Sequence, residues 1–186
     1  WSRELAKSTR VMMEVFYLTL VGVIPRSTIE LREPIEPTAY EGNMGLELLI
    51  RPTETSPPLP ERIKKRNVLL ISNSFENAER LLMPYMVNLT KNNRIIHDYG
   101  VQRQIGHWTT SEFITRSGVS YRAVGAGQSP RGSRNEDARP DIILFDDLDT
   151  DADCLNPDII DRRWHWVEQA VIPARSISNP LLVLWC

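Results

Sequence analysis

The chain has few cysteines, no strong excess of charge of either sign and no long apolar run. Its two cysteines, Cys154 and Cys186, are spaced neither like a disulfide framework nor like a thiolate metal site, which predicts a reduced, intracellular protein. The net charge of −2 provides no overall attraction to nucleic acid or to a membrane surface. The apolar run "VFYLTLVGVI" follows basic residues, but it is too short to span a bilayer and no small-residue cleavage site follows it. We therefore expect neither a membrane anchor nor a secretory signal.

Lysine is also scarce. Four of the 22 basic residues are lysines and the others are arginines, which favour planar, bidentate contacts with phosphates and carboxylates. With 41% apolar and 25% charged residues over 186 positions, a single soluble globular domain is the default prediction. The chain starts at Trp1 and stops at Cys186, directly after the apolar run "LLVLW", so we expect a fragment cut at both ends.

The first third of the chain predicts one helix and one irregular excursion. Apolar residues recur at helical spacing from Ala6 to about Val21. A proline-rich stretch from Pro25 to Pro60 follows, and its "PTETSPPLP" segment is incompatible with a continuous helix or a central strand. We interpret this stretch as an insertion, within which "LELLI" has the composition of a short strand. The basic "ERIKKR" segment after it is expected to be a solvated flank or a contact to a DNA backbone.

Short apolar runs then alternate with helical patterns. "NVLLIS" is typical of a buried parallel strand, and Asn73 or Ser74 can cap the helix after it, which Pro84 is expected to kink or to end. "WTTSEFIT" and "VSYRAVG", separated by "RSG", predict a hairpin. "DIILF" and "LLVLW" predict two more buried strands, with a helix from Pro157 to about Val171 between them. This alternation predicts an α/β sandwich with a mostly parallel sheet.

The acidic stretch "DIILFDDLDTDADC" permits three interpretations. Asp146 and Asp147 directly follow a predicted strand, as a metal-binding carboxylate and a water-orienting carboxylate do in an ATPase. A calcium loop starting at Asp147 lacks the turn glycine and the bidentate glutamate, since Ala152 and Asp158 hold those positions. The third possibility is a solvated acidic turn, which also accounts for the later acids, namely Asp149, Asp151 and Asp153.

The opening segment "WSRELAKST" is a weak candidate for a phosphate site. Lys7 and Ser8 stand at the start of the first predicted helix, where a P-loop places a lysine on the β/γ-phosphates and a hydroxyl on Mg²⁺. The P-loop glycines are missing, because Trp1 and Ala6 occupy their positions. Taken alone, the segment fits an ordinary helix start better than a P-loop.

Three motifs together resemble the ATPase domain of the large subunit of tailed-phage terminases, the DNA-packaging motors. "SRELAKST" is similar to the glycine-poor Walker A motif of that family, and "VLLISNSFENAERLL" to its following strand and helix. "GAGQSPRGSRNEDARPDIILFDDLDTD" is similar to the glycine-rich segment that leads into Walker B, and it is the most specific of the three. The Pro25–Pro60 stretch is not explained by this resemblance.

The resemblance implies an α/β P-loop NTPase of the ASCE/RecA-like class, a three-layer sandwich with ATP and Mg²⁺ as ligands. Lys7 would be the Walker A lysine, Ser8 and Asp146 the Mg²⁺ ligands, and Asp147 the catalytic carboxylate. Arg131, with Arg134 and Arg139 as competitors, would complete the site of a neighbouring subunit in a ring. The nucleotide-binding segment would comprise Ser2, Arg3, Glu4, Leu5, Ala6, Lys7, Ser8 and Thr9.

The resemblance also implies a biological role. Residues 1–186 would form one ATPase domain, without the family's C-terminal nuclease domain, whose ATP hydrolysis drives double-stranded DNA into a procapsid. The implied partners are DNA, the portal protein, the small terminase subunit and further copies of the chain in a homo-oligomeric ring, with no membrane. The implied location is the host cytoplasm, outside the mature virion. The alternative is another nucleic-acid-dependent P-loop ATPase, such as a helicase-like translocase. Two aromatic clusters, His107-Trp108 and Trp164-His165-Trp166, are candidates for stacking on bases, although core packing is more common for such residues.

Overall fold

The computed structural model describes residues 3–22, 62–130 and 139–186, with the side chains of the first helix described from Thr9 onward. The chain divides into two compact units, residues 1–22 with 64–186 and residues 23–63. The sheet and the helices described belong to the first unit. The predicted insertion and its "LELLI" strand lie outside the described residues and stay predictions.

Six strands of the described residues form one mixed sheet. The strand bounds are β1 Asn67–Ser72, β2 Arg103–Trp108, β3 Glu112–Thr115, β4 Ser120–Gly125, β5 Ile142–Phe145 and β6 Leu182–Trp185. Their order across the sheet is β2-β3-β4-β1-β5-β6. Strands β1, β4, β5 and β6 are parallel to one another, whereas β2, β3 and β4 pair in antiparallel fashion. The predicted α/β architecture with a mostly parallel sheet is therefore confirmed.

Helices cover both faces of the sheet, which gives three layers. On one face lie helix α1 (Arg3–Phe16) with its π-helical extension Tyr17–Val21, and helix α2 (Phe75–Lys91). Helix α4 (Pro157–Trp166), with its π-helical extension Val167–Val171, covers the other face. The strands β1 and β5 are buried along their whole length, because both of their faces pack against helices.

Helix α1 begins at Arg3, three residues earlier than predicted. Glu4, Leu5, Ala6 and Lys7 are all good helix formers, and no glycine interrupts them. The segment expected to loop around a phosphate therefore has helical backbone, and Lys7 and Ser8 lie in the second turn instead of at the helix start.

Helix α2 continues through Pro84, so of the two expected effects, a kink or an end to the first half of the helix, the second does not occur. Pro84 and Arg80, whose carbonyl loses its i→i+4 donor, both lie on the exposed side of the helix, where water can solvate that carbonyl. The buried stripe of Leu82, Tyr85 and Leu89 keeps the helix on the sheet on both sides of the proline. Ser74 is the N-cap, as one of the two predicted alternatives, and its hydroxyl accepts from the N–H of Asn77.

The predicted hairpin is confirmed as β3 and β4, but helix α3 (Asn93–Tyr99) and strand β2 were not predicted. Strand β2 is almost entirely exposed, including Ile105 at 92%, so it has neither a buried run nor a clean alternation. Strand β6 is confirmed as a strand but is only partly buried, with Trp185 53% exposed. The helix expected to open at Pro157 does so, with Asn156 as its N-cap.

Candidate functional site

The carboxyl edge of the sheet, where β1, β4, β5 and β6 end, gathers the polar residues that follow the parallel strands. Ser72 ends β1 and Asn73 follows it, Gly125 ends β4, and Asp146 and Asp147 follow β5. Since parallel strands end on the same side of a sheet, these residues line one edge, where open α/β sheets bind their ligands. The acid pair, Asp146 and Asp147, therefore follows a buried parallel strand, as predicted.

Asp146 extends the β5 ladder by one residue. Its N–H donates to the carbonyl oxygen of Ile71 at 2.9 Å, and its side chain is partly buried. Leu144 packs on the α1/α2 face and Phe145 on the α4 face, so strand alternation directs Asp146 toward the α1/α2 face. The negative charge of Asp146 also contributes, after burial, to raising the pKa of Tyr85 on α2. The Asp146 carboxylate thus lies on the side of the sheet that carries α1.

Asp147 is exposed and has a left-handed backbone. Its φ of 43° is the only positive φ of a non-glycine residue in the ranges that the structure describes. The carbonyl oxygen of Asp147 accepts from the N–H of Asn73 at 3.3 Å, which ties this residue to the turn after β1. Strained backbone conformations recur at functional sites, and Asp tolerates this one better than most residues.

The turn between β1 and α2 is itself tightly held. The side-chain amide of Asn77 donates to Oδ1 of Asn73 at 2.8 Å. On its other side the turn lies close to the end of β4, where a Cβ on Gly125 would stand 2.5 Å from the backbone nitrogen of Phe75. A glycine is therefore needed at position 125 for α2 to start next to β4. This packing fixes Asn73, and through it the backbone of Asp147.

The acids beyond the pair are not merely solvated, which corrects the sequence-based expectation for two of them. Arg163 on α4 contacts Asp149 at 2.8 Å and Asp153 at 2.7 Å. Hydrogen bonds from Thr150 and the guanidinium of Arg163 lower the pKa of the Asp153 carboxyl. Asp151 is exposed, as expected. The guanidinium of Arg163 occupies the Asp149 carboxylate, which is one of the ligands that the calcium-loop interpretation requires.

The opposite, amino edge of the sheet holds a buried polar site that sequence reasoning missed. The Asp141 carboxylate accepts from the backbone N–H groups of Arg66 and Asn67, both at 2.9 Å, and from the Asn179 side chain at 3.2 Å. Lys65 is buried beside it and donates to the carbonyl oxygen of Pro180. Burial lowers the pKa of Lys65, and the negative charge of Asp141 partly offsets this effect.

The expectation that this basic segment is solvated was therefore wrong for Lys65, whereas Lys64 and Arg66 are exposed. One feature of the sequence could have indicated this site. Asp141 directly precedes a predicted strand, and a carboxylate there can accept hydrogen bonds from the backbone N–H groups at the start of the adjacent parallel strand.

The direction of α1 bears on the phosphate-site prediction. The N–H of Lys65, two residues before β1, donates to the carbonyl oxygen of Leu18 at 3.1 Å, so the helical segment ends at the amino edge. Val15, Phe16 and Leu20 pack on the sheet, and about 22 Å of helix separates Leu18 from Arg3. Toward its amino end α1 meets later residues of α2, since Met12 contacts Asn88 whereas Phe16 contacts Tyr85, so these contacts do not bring the amino end of α1 to the acid pair. The side chains of Ser2, Arg3, Glu4, Leu5, Ala6, Lys7 and Ser8 lie outside the described part.

The remaining candidates divide between core packing and regions without description. Arg131 and Arg134 fall in the segment 131–138, outside the described residues, and Arg139 is exposed. Trp108 packs against Phe113 with ring centroids 4.3 Å apart and the ring planes tilted by 39°, which supports a packing role over base stacking. The indole N–H of Trp166 donates to the carbonyl oxygen of Gln128, linking α4 to the loop after β4.

Comparisons add no family assignment: no protein-family model matches the chain, and no curated protein matches it. In the described ranges, every helix is too short or too polar to cross a bilayer.

Proposed function

We propose that this chain is an ATP-hydrolysing motor domain of P-loop type that drives packaging of double-stranded viral DNA, as the resemblance to terminase large subunits implies. Its ligands would be ATP and Mg²⁺. Its partners would be DNA, a portal protein, a small terminase subunit and further copies of itself in a ring, within the host cytoplasm. A helicase-like translocase would use the same nucleotide chemistry and is the alternative.

The observation that supports this proposal best is the placement of the acid pair. Asp146 directly follows a buried central strand and faces the layer of helices that contains α1. An amino-terminal helix end offers free N–H groups and a positive dipole to phosphate, and a carboxylate nearby can hold the accompanying cation. The helical backbone at Arg3–Lys7 means that these N–H groups belong to the first turn of α1, without a glycine-rich loop.

Each residue of the proposed site has a separate task. Bound Mg²⁺ would supply charge neutralisation on the β- and γ-phosphates. Asp146 and the Ser8 hydroxyl would hold that ion, and Lys7 would contact the phosphate oxygens. Asp147 would orient the attacking water and accept its proton while the water oxygen bonds to the γ-phosphorus, and the bond from that phosphorus to the β–γ bridging oxygen would break to give ADP and phosphate.

The proposal is tested by separating nucleotide binding from hydrolysis in single variants. Asp147→Asn should retain ATP binding and lose hydrolysis by about 100-fold or more, because the amide cannot accept the proton. Lys7→Ala should weaken ATP binding itself. Asp151→Asn, an exposed acid of the same stretch, is the matched control and should behave as the parent does. If Lys7→Ala and Asp147→Asn bind and hydrolyse ATP like the parent, the chain is not an ATPase of this type.

The partner assignment needs its own measurement. Stimulation of ATP hydrolysis by double-stranded DNA together with binding to a procapsid portal would support the packaging motor. Stimulation by single-stranded nucleic acid without portal binding would support the translocase alternative instead.

A further inference from the structure

Arg163 joins helix α4 to the acid loop, residues 146–156, at two points. One guanidinium nitrogen lies 2.8 Å from a carboxylate oxygen of Asp149, and another lies 2.7 Å from one of Asp153. Both distances fit charge-assisted hydrogen bonds. The same Asp153 oxygen also accepts from the N–H and the hydroxyl of Thr150, so the loop between the two acids is closed on itself.

The environment of Arg163 differs from that of an ordinary surface ion pair. Its side chain is 19% exposed and that of Asp153 is 17% exposed. By contrast, the Arg80–Glu76 pair on α2 is 70% and 74% exposed, although its distance of 2.6 Å is as short. Solvent screening and side-chain entropy reduce the contribution of the exposed pair far more than that of the Arg163 cluster.

Helix α4 provides a firm base for Arg163. Its extension buries Val167 and Val171 against the sheet, and the Trp166 indole N–H is bonded to the main chain of Gln128 at 2.8 Å. Because α4 is fixed on the sheet, the contact with the guanidinium of Arg163 also fixes the position of Asp149. Asp149 is two residues from Asp147, and the intervening Leu148 is buried in the same α4-side core.

The short connection between Asp147 and Asp149 leaves little slack. Before it, two hydrogen bonds fix the backbone: the N–H of Asp146 donates to the carbonyl oxygen of Ile71, and the N–H of Asn73 donates to the carbonyl oxygen of Asp147. After it, Arg163 holds Asp149. The left-handed backbone of Asp147 is thus fixed on one side by backbone hydrogen bonds and on the other side by the side chain of Arg163, which a mutation can remove.

We propose that Arg163 is a positioning residue for the water-orienting carboxylate of Asp147, acting through Asp149 and the acid loop. This inference rests on the proposed ATPase function, because it assigns Arg163 to the hydrolytic step of that same site. Arg163 itself contacts no reacting atom in this scheme. Its effect should therefore appear in the rate of hydrolysis and not in nucleotide affinity.

The test compares Arg163→Gln and Arg163→Lys with Arg80→Gln as the matched control. Arg163→Gln should lower kcat about tenfold to 100-fold while the dissociation constant for ATP changes less than about twofold, because a displaced catalytic group slows chemistry without removing a substrate contact. Arg163→Lys should recover part of the loss, since an ammonium keeps the charge but not the two-point geometry. Arg80→Gln should match the parent in both parameters.

Two further measurements separate positioning from general stability. Amide hydrogen exchange in residues 148–154 should accelerate in Arg163→Gln while β1 and β5 stay protected. The double variant Asp149→Asn/Asp153→Asn should lower kcat to a similar extent, and adding Arg163→Gln to it should lower kcat little further.

The outcomes are distinguishable. An Arg163→Gln variant that hydrolyses ATP at the parental rate overturns the positioning role and leaves the ATPase proposal intact. Parallel losses of affinity, kcat and protection in β1 and β5 also overturn it, because they indicate a general structural role. A parent that neither binds nor hydrolyses ATP overturns the proposed function, and the positioning role fails with it.

Discussion

The backbone N–H of Asn73 donates to the carbonyl oxygen of Asp147 at 3.3 Å, so the turn after β1 holds the residue that follows β5. The two strands are adjacent and parallel, and their exits meet at this bond. Asn73 is in turn held by the side chain of Asn77 in the first turns of α2. The position of Asp147 therefore depends on the packing of α2 as well as on its own strand.

The left-handed φ of 43° at Asp147 predicts a specific order of stability among substitutions. The free energies of unfolding of Asp147→Asn and Asp147→Gly should lie within about 0.5 kcal/mol of the parental value, because Asn and Gly adopt this conformation readily. Asp147→Val should lose about 1–2 kcal/mol, since its branched Cβ opposes a positive φ. Urea denaturation of the three variants measures the order, and a valine variant as stable as the parent would show that this backbone conformation is not required.

Residues whose burial is continuous along the chain were predictable. The apolar runs of β1 and β5 predict strands that are covered on both faces. The end of the β5 run in turn predicts that the acid pair lies directly after that strand. Strand β2 was not predictable in this way, because its pairing with β3 holds it in place while most of its side chains face solvent.

The contacts made by charged residues were predictable to a smaller extent. Arg163 and Asp149 are 14 residues apart and meet only when α4 packs on the sheet. Likewise, no local pattern distinguishes the buried Lys65 from the exposed Lys64 beside it, since Lys65 lies beside Asp141 and donates to Pro180, which are both distant in sequence. Periodicity reports which face of an element is buried, whereas such pairs depend on the packing between elements.

Replacement of Pro84 by alanine should stabilise the protein. The helix already runs through this position, so Pro84→Ala restores an N–H that can donate to the carbonyl of Arg80 and removes the steric conflict of the ring with that turn. Pro84 is exposed, so the change creates no cavity. We expect a gain of about 1–3 kcal/mol, partly offset by the greater freedom of the unfolded chain. Thermal unfolding would contradict this if the alanine variant melted at or below the parental temperature.

Asp141 should be the most sensitive acid of the stretch "DIILFDDLDTDADC" with respect to folding. Asp141→Ala leaves the buried N–H of Asn67 and the N–H of Arg66 without their carboxylate acceptor, and it removes the countercharge near Lys65. The expected cost is about 3 kcal/mol or more. Asp151→Ala, at an exposed position, should change the free energy of unfolding by less than about 0.5 kcal/mol. Equal effects of the two substitutions in chemical denaturation would refute this division of roles.

The two buried tyrosines predict a loss of stability at alkaline pH. Burial raises the pKa of Tyr85 and of Tyr121 well above the ordinary phenol value of 10, although the Thr19 hydrogen bond opposes the shift at Tyr121. Above pH 10 the unfolded chain releases these protons while the folded chain keeps them. Each tyrosine therefore lowers the free energy of unfolding by about 1.4 kcal/mol per pH unit in that range, and neither has an effect well below pH 10.

Lys65 acts in the opposite direction, because its lowered pKa makes stability rise with pH until its ordinary value of 10.5 is reached. Comparison of the parent with Tyr85→Phe cancels the Lys65 contribution, since both proteins contain that lysine. Denaturation curves at pH 9, 10 and 11 should show the parent losing stability more steeply above pH 10 than the phenylalanine variant does. Identical pH slopes in the two proteins would mean that the Tyr85 hydroxyl titrates in the folded state as it does in the unfolded chain.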